Sequence, residues 1–330
     1  MTSFSAKSRP AVVIVVFPDA MLLDIAGPMQ VFSNARRTTG GVDYEIVLVS
    51  AKGGLQMMDT GFELNTEPMD RWRGREIHIL LVAGGWGAQA AAQDPVLIEN
   101  TIALAKNAAR FGSVCTGAHV LAASGLLNGR RAVTHWLYYD ELAQKYPKVK
   151  LERDPIFIND GNLWTSGGVT SGIDMALAMV AEDSGRKFAV RLARVLVMYM
   201  VRPGGQSQFS PALVSQSDDT SGRFDALHTW INDNLDQNLR IERLAEFVGM
   251  SARNFARVYR ELTSRTPAKA VEMFRLAAAR SLLEETTLPV AKIARQTGFE
   301  DDERMRRAIH RAVGISLKEY RERFGLEEKK

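Results

Sequence analysis

The chain contains a single cysteine, Cys115, in the stretch "SVCTG" (113–117). Small–x–nucleophile–x–small is the spacing of a nucleophile elbow, because small neighbours let the chain turn sharply and present the central side chain. A helix after such a turn would aim its N-terminus at the sulfur and favour the thiolate. Backbone N–H groups near Gly84, Gly85 and Thr116 would then be placed to hold an oxyanion or a ligand carboxylate. Asp24, in "MLLDIAGP", is the candidate acid, and His119 and His135 lie nearby in sequence. Each has a plainer reading. A free cysteine can be a small buried hydrophobe, Asp24 can cap the helix it begins, and the histidines can be packing residues. The glycines can serve tight turns alone. A lone cysteine excludes an intramolecular disulfide and a multi-cysteine zinc site, and no metal or cofactor is expected.

A second group of residues carries different chemistry. "RLAEFVGMS" (243–251) and "KIARQTGFE" (292–300) match at a 49-residue offset, each a short helix, a glycine turn and a further amphipathic helix. That is a helix-turn-helix signature, present twice. In the first unit Ser251 can cap, and Phe255, Val258 and Leu262 face inward by their spacing. Ala252, Arg253, Asn254 and Arg257 are left outward, and Arg and Asn are the side chains that read base edges bidentately. In the second unit Glu300, Asp301, Asp302 and Glu303 precede Arg304, Arg306, Arg307 and Arg311, which suits backbone phosphates better than bases. Residues 223–330 hold 21 Lys/Arg against 17 Asp/Glu, so the net +4 of the chain sits there. A helical bundle with a solvated basic face is the alternative for one such unit, and two at a fixed offset argue against it.

The elements that must position these residues follow from pattern. The 330 residues suit two domains. Over 11–202, short β-branched runs such as "AVVIVVF" and "IHILLVAGG" alternate with helical stretches. This predicts an α/β fold with a mostly parallel sheet and helices on both faces, flavodoxin-like, with the site outside the carboxyl ends of the strands. Residues 1–10 read as a flexible N-terminus. Residues 203–222, rich in Gly, Ser, Gln and Pro, read as a linker. From 223 to 330 the pattern is all α. No run is long and apolar enough for a bilayer and no signal segment is evident, so a cytoplasmic location without membrane contact is expected.

Residues 241–324 resemble the DNA-binding domain of the AraC/XylS regulators throughout. The carrying segments are "LAEFVGMSARNFARVYREL", Arg275, Ala278, Leu282 and Leu283 of a linking helix that begins at "TP" (266–267), and "IARQTGFE…RRAIHRAVGIS…YR". The resemblance implies two recognition helices in successive major-groove segments. Residues 11–195 resemble the ThiJ/PfpI group of the class I glutamine amidotransferase-like fold through "FPDAMLLDIAGPMQVF", "LLVAGGWG", "SVCTGAHVLAASGLLNGRRAVTHW" and "DGNLWTSGGVTSGIDMALAMV". Within that group the isocyanide hydratases have a catalytic cysteine, adjacent threonine and supporting aspartate that match Cys115, Thr116 and Asp24. The amidotransferase His-x-Glu pair is not evident. Fusion of the two domains resembles a regulator class that senses arginine, carnitine or glycine betaine with a non-catalytic domain. It implies a homodimeric activator of catabolic or nitrogen-metabolite genes, with operator DNA, RNA polymerase and an amino acid or quaternary-ammonium effector as partners. The effector site would comprise Asp24, Gly84, Gly85, Cys115 and Thr116. The alternatives are a cysteine-dependent hydratase or hydrolase using Cys115 and Asp24, and a redox sensor.

Overall fold

The computed structural model describes residues 9–153, 155–198, 208 and 223–325. Most of the expected flexible N-terminus, and all of the expected linker except Gln208, lie outside the described residues. The chain divides into two compact units, Met1–Gly204 and Gly205–Lys330.

The first unit is built on an eight-stranded sheet. Strand β1 (Ala11–Val15) is buried along its whole length, as an apolar run without alternation requires of a strand covered on both faces. It pairs in parallel with β2 (Glu45–Ser50) on one side and β5 (Ile77–Val82) on the other. The parallel series continues through β6 (Ala108–Val114) to β10 (Leu163–Ser166). Both edges are antiparallel hairpins. At one, β9 (Phe157–Asp160) turns into β10 at Gly161, as the "DG" turn predicts. At the other, β3 (Gly54–Met57) pairs with β4 (Glu63–Pro68), a hairpin that the alternation of strands and helices did not bring out. Helix Leu22–Arg37 packs against Thr170–Ser184 and Arg186–Val195, and helix Pro95–Lys106 packs with Ala118–Ala123. Asp94 caps the helix at Pro95, accepting the amides of Val96 and Leu97. β7 (Arg131–Ala132) pairs in parallel with β8 (Lys150–Leu151), and just beyond it the Thr134 hydroxyl reaches the Cys115 carbonyl.

The second unit is helical among its described residues. Ile241–Phe247 and Ala252–Thr263 form the first helix-turn-helix, and Val290–Gln296 and Asp302–Val313 the second. Gly249 and Gly298, at φ 68° and 73°, occupy the left-handed region at the two turns. The second of these also needs the absence of a side chain, since a Cβ at Gly298 would come within 1.8 Å of the Leu235 carbonyl oxygen. The linking helix Pro267–Glu285 starts at its Thr266 cap. Its Ala270, Val271 and Phe274 belong to the core of the first helix-turn-helix, with Phe224, Phe255 and Tyr259. Its Ala279 and Leu283 belong to the core of the second, with Ile293, Met305 and Tyr320. No helix of the described residues is long and apolar enough to cross a membrane.

Candidate functional site

Asp24, Gly84, Gly85, Cys115 and Thr116 meet at the carboxyl edge of the sheet, where β1, β5 and β6 end. β6 stops at Val114, and Cys115 turns the chain with φ 55°, a left-handed conformation that costs a non-glycine residue on the order of 1 kcal/mol. Two glycines make room for its side chain. A Cβ at Gly84 would lie 2.5 Å from Asp24 Oδ2 and 2.6 Å from Cys115 Cβ. A Cβ at Gly168, which has φ 115°, would lie 2.7 Å from the Cys115 sulfur. Gly168 and Thr134, whose hydroxyl donates to the Cys115 carbonyl at 3.1 Å, complete the turn.

Asp24 does not cap. Met21 holds the N-cap position, and Asp24 lies in the first turn at 1% exposure. Its Oδ1 accepts the amide of Val169 at 2.8 Å. Its Oδ2 has no partner in hydrogen-bonding geometry and faces the Cys115 thiol and the Gly84 backbone. Burial raises the carboxyl to about 6 against the opposing effect of the Val169 amide. Cys115 is likewise buried, and burial followed by the charge of Asp24 pushes its thiol well above the usual range. The expected thiolate is therefore corrected to a neutral thiol. The α-helix begins at Ala118 after a 3₁₀ turn over Cys115–Gly117, and the Thr116 amide beside the sulfur does not offset burial.

Of the expected oxyanion donors, the Gly85 amide is committed within the site. The Thr116 hydroxyl accepts the Gly85 amide at 2.8 Å and donates to the Gly85 carbonyl at 2.9 Å, tying the β5 and β6 turns together. His119 is fully buried, and neither ring nitrogen has a partner among the described residues. Its ring meets Tyr138 edge-on at 6.0 Å, and burial lowers its pKa. His135 accepts the Leu137 amide at 3.3 Å in the turn that leads to Trp136 and Tyr138. Sequence reasoning missed Thr134 and Tyr138. The only signal for Tyr138 was the aromatic run "HWLYY" (135–139), which Thr134 immediately precedes.

In the second unit Arg253, Asn254 and Arg257 lie on one helix behind the Ser251 cap, while Phe255 and Tyr259 are buried beneath them. Val258 and Leu262 are only partly buried against that core. Ala252 is half-buried. Arg257 is held by Glu261 at 2.7 Å and by Asn254 at 3.0 Å. On the second helix the acids are mostly engaged. Asp301 caps by accepting the Arg304 amide at 2.6 Å, Glu300 pairs with Arg304, and Asp302 pairs with Arg306 at 3.5 Å. Arg311 pairs with Glu272 of the linking helix at 2.8 Å. Arg307 is exposed.

The DJ-1/PfpI family matches residues 10–182, and a helix-turn-helix domain matches residues 244–323. The chain is 26% identical to the HTH-type transcriptional regulator ArgR of Pseudomonas aeruginosa over 310 residues, which cover 93% of this chain and 91% of that protein. It is 31% identical to the isonitrile hydratase of Pseudomonas putida over 204 residues, covering 61% of this chain and 84% of the hydratase. The crystal structure of a ThiJ/PfpI family protein from Pseudomonas syringae superposes with a TM-score of 0.53 at 27% identity, covering 59% of this chain and 78% of that one.

Proposed function

The chain belongs to the DJ-1/PfpI family and carries an AraC-type helix-turn-helix domain, which makes it a DNA-binding transcriptional regulator, and from this premise we propose that its elbow binds an effector instead of converting one. The observation that carries the reading is the burial of the elbow, where Cys115 and the Asp24 carboxyl face each other against Gly84 and burial disfavours the thiolate. A neutral thiol under a carboxyl that titrates near 6 is a poor nucleophile at neutral pH, yet it is a good polar floor for a small ligand. Asp24, Gly84, Gly85, Cys115 and Thr116 form that floor. The unsatisfied Asp24 Oδ2 gives a cationic or hydrogen-bond-donating ligand something to gain. An amino acid or a quaternary-ammonium metabolite fits this demand.

The ligand must favour one arrangement of the chain over another, since equal affinity for both would shift nothing. The protein acts as a cytoplasmic homodimeric activator that engages RNA polymerase at catabolic or nitrogen-metabolite promoters. Arg253, Asn254 and Arg257, with Ala252 against the base edges, read sequence. Arg304, Arg306, Arg307 and Arg311 hold phosphates.

The similarity to an isonitrile hydratase favours a second reading, a cysteine hydratase with an accessory DNA-binding domain. A thermal-shift screen of the full chain against nitrogen-rich metabolites and isonitriles, with product analysis on every hit, separates the two. Stabilisation without product is the expected result. Product formation that Cys115→Ser abolishes at undiminished binding would make the protein an enzyme.

A further inference from the structure

A polar cavity of about 350 Å³ lies between the linking helix and the second recognition helix. Four arginines line it: Arg275, Arg304, Arg307 and Arg311. Two carboxylates, Glu272 and Glu300, share the lining. Arg275 is anchored, donating to the Leu235 carbonyl at 3.1 Å and the Gln237 carbonyl at 2.8 Å. Burial, and then the crowding of its guanidinium by Arg304, lower its pKa. Arg307 is exposed. Such a concentration of guanidinium groups repels itself unless an anion is present.

Glu300 pairs with Arg304, and Glu272 supplies the anion for Arg311. Its Oε1 accepts Arg311 Nη2 at 2.8 Å and its Oε2 accepts Lys269 Nζ at 3.0 Å, so both oxygens are used by cations from two different helices. Although it is partly buried, those two cations hold its carboxyl below the usual range. Bridging two cations with two oxygens is the arrangement a DNA phosphate would make with the same groups.

We infer that this cleft is a DNA-phosphate site and that Glu272 occupies it in the free protein, masking Arg311 and Lys269 until a phosphate displaces the carboxylate. The inference rests on the DNA-binding reading and adds a residue to it that never touches DNA. Glu272 sets overall DNA affinity and leaves the ratio of specific to non-specific binding unchanged. The exchange of carboxylate for phosphate weakens every complex equally, so complexes that lack base contacts fall below usefulness first. The mask thus lowers retention on non-specific DNA.

The test uses the full-length chain and a random-sequence duplex of about 20 base pairs, with binding followed by anisotropy across a salt titration. Glu272→Gln should tighten binding about three-fold and steepen the log–log salt dependence by about one unit, as an additional phosphate contact requires. In a background carrying Arg311→Gln and Lys269→Gln, the same substitution should have no effect, because the cations it unmasks are gone. Glu285→Gln, on the far half of the same helix, should leave binding unchanged. Thermal melts that match the wild type would exclude misfolding. A Glu272→Gln effect that persists in the doubly substituted background, or that Glu285→Gln reproduces, would reduce Glu272 to a diffuse surface charge and overturn the inference. Normal duplex binding with an inert Glu272→Gln would overturn the cleft alone. A wild-type chain that binds no duplex at about 50 mM salt would overturn the DNA-binding reading with it.

Discussion

Replacing Asp24 by Asn should stabilise the first unit at neutral pH. The carboxyl titrates at about 6 in the fold, against about 4 in an unfolded chain. A raised acid pKa means that the fold prefers the protonated group. The associated stability is fully present below about pH 4 and is lost as pH rises through about 6. Two units correspond to about 3 kcal/mol that the ionised wild type forgoes at pH 7.5. Asn keeps an Oδ1 acceptor for the Val169 amide and carries no charge. Its new Nδ2 faces the thiol and the Gly84 backbone without a good acceptor, which costs about 1 kcal/mol. The net gain is about 1–2 kcal/mol at pH 7.5, or roughly 2–8 °C for a unit of this size. Urea unfolding followed by tryptophan fluorescence is the assay, because Trp72, Trp86, Trp136 and Trp164 report the first unit and only Trp230 the second. The advantage should vanish at about pH 4, where the wild type is itself neutral. An Asp24→Asn chain less stable than wild type by the same margin at both pH values would show that the carboxylate is not held at a cost. Asp24 Oδ2 would then have nothing to gain from a ligand.

Gly84→Ala should destabilise by about 3 kcal/mol, because its Cβ would sit 2.5 Å from Asp24 Oδ2 and 2.8 Å from the Thr116 amide, and denaturant melts would register it. At the opposite edge of the sheet, burial would raise Asp183, but hydrogen bonds from His78, Tyr44 and Arg110 hold its carboxyl at about 2. That network should therefore contribute about 2 kcal/mol above pH 4 and lose it as pH falls towards 2, a loss that acid titration of Asp183→Asn would no longer show. Arg253→Ala should cost roughly 1–3 kcal/mol of operator affinity and relax specificity in one half-site. Arg307→Ala should weaken all sequences alike and flatten the salt slope by about one. Equal losses on randomising either half-site would refute the asymmetry.

The sheet was legible where the sequence repeats one environment. "AVVIVVF" lacks alternation because β1 is covered on both sides, and the paired glycine turns at 249 and 298 announce the two helix-turn-helix units. The β3–β4 hairpin was not legible, because most of its residues face solvent and mix polarities, leaving neither period. The gathering of Asp24, Gly84, Cys115 and Thr116 could be anticipated from strand ends. Their protonation could not, because it depends on burial and on a Val169 amide 145 residues away from Asp24. Tyr259 likewise broke the expected inward pattern. A phenol can be buried there because its hydroxyl meets His228 Nε2 at 2.8 Å, a partner that spacing does not reveal.

The linking helix has one half embedded in each of two separate cores, with no hinge between Phe274 and Ala279. It therefore works as a dial as well as a spacer. Each residue of an α-helix advances about 1.5 Å but swings the next by about 100°. Adding one residue between those positions would barely lengthen the reader, yet it would turn the second recognition helix away from the face of the duplex that the first one reads. Adding seven would push it about 10 Å further and return it to within about 20° of its original bearing. What Pro267–Glu285 fixes is the angular phase of the two reading heads, and the operator must match that phase more strictly than the distance.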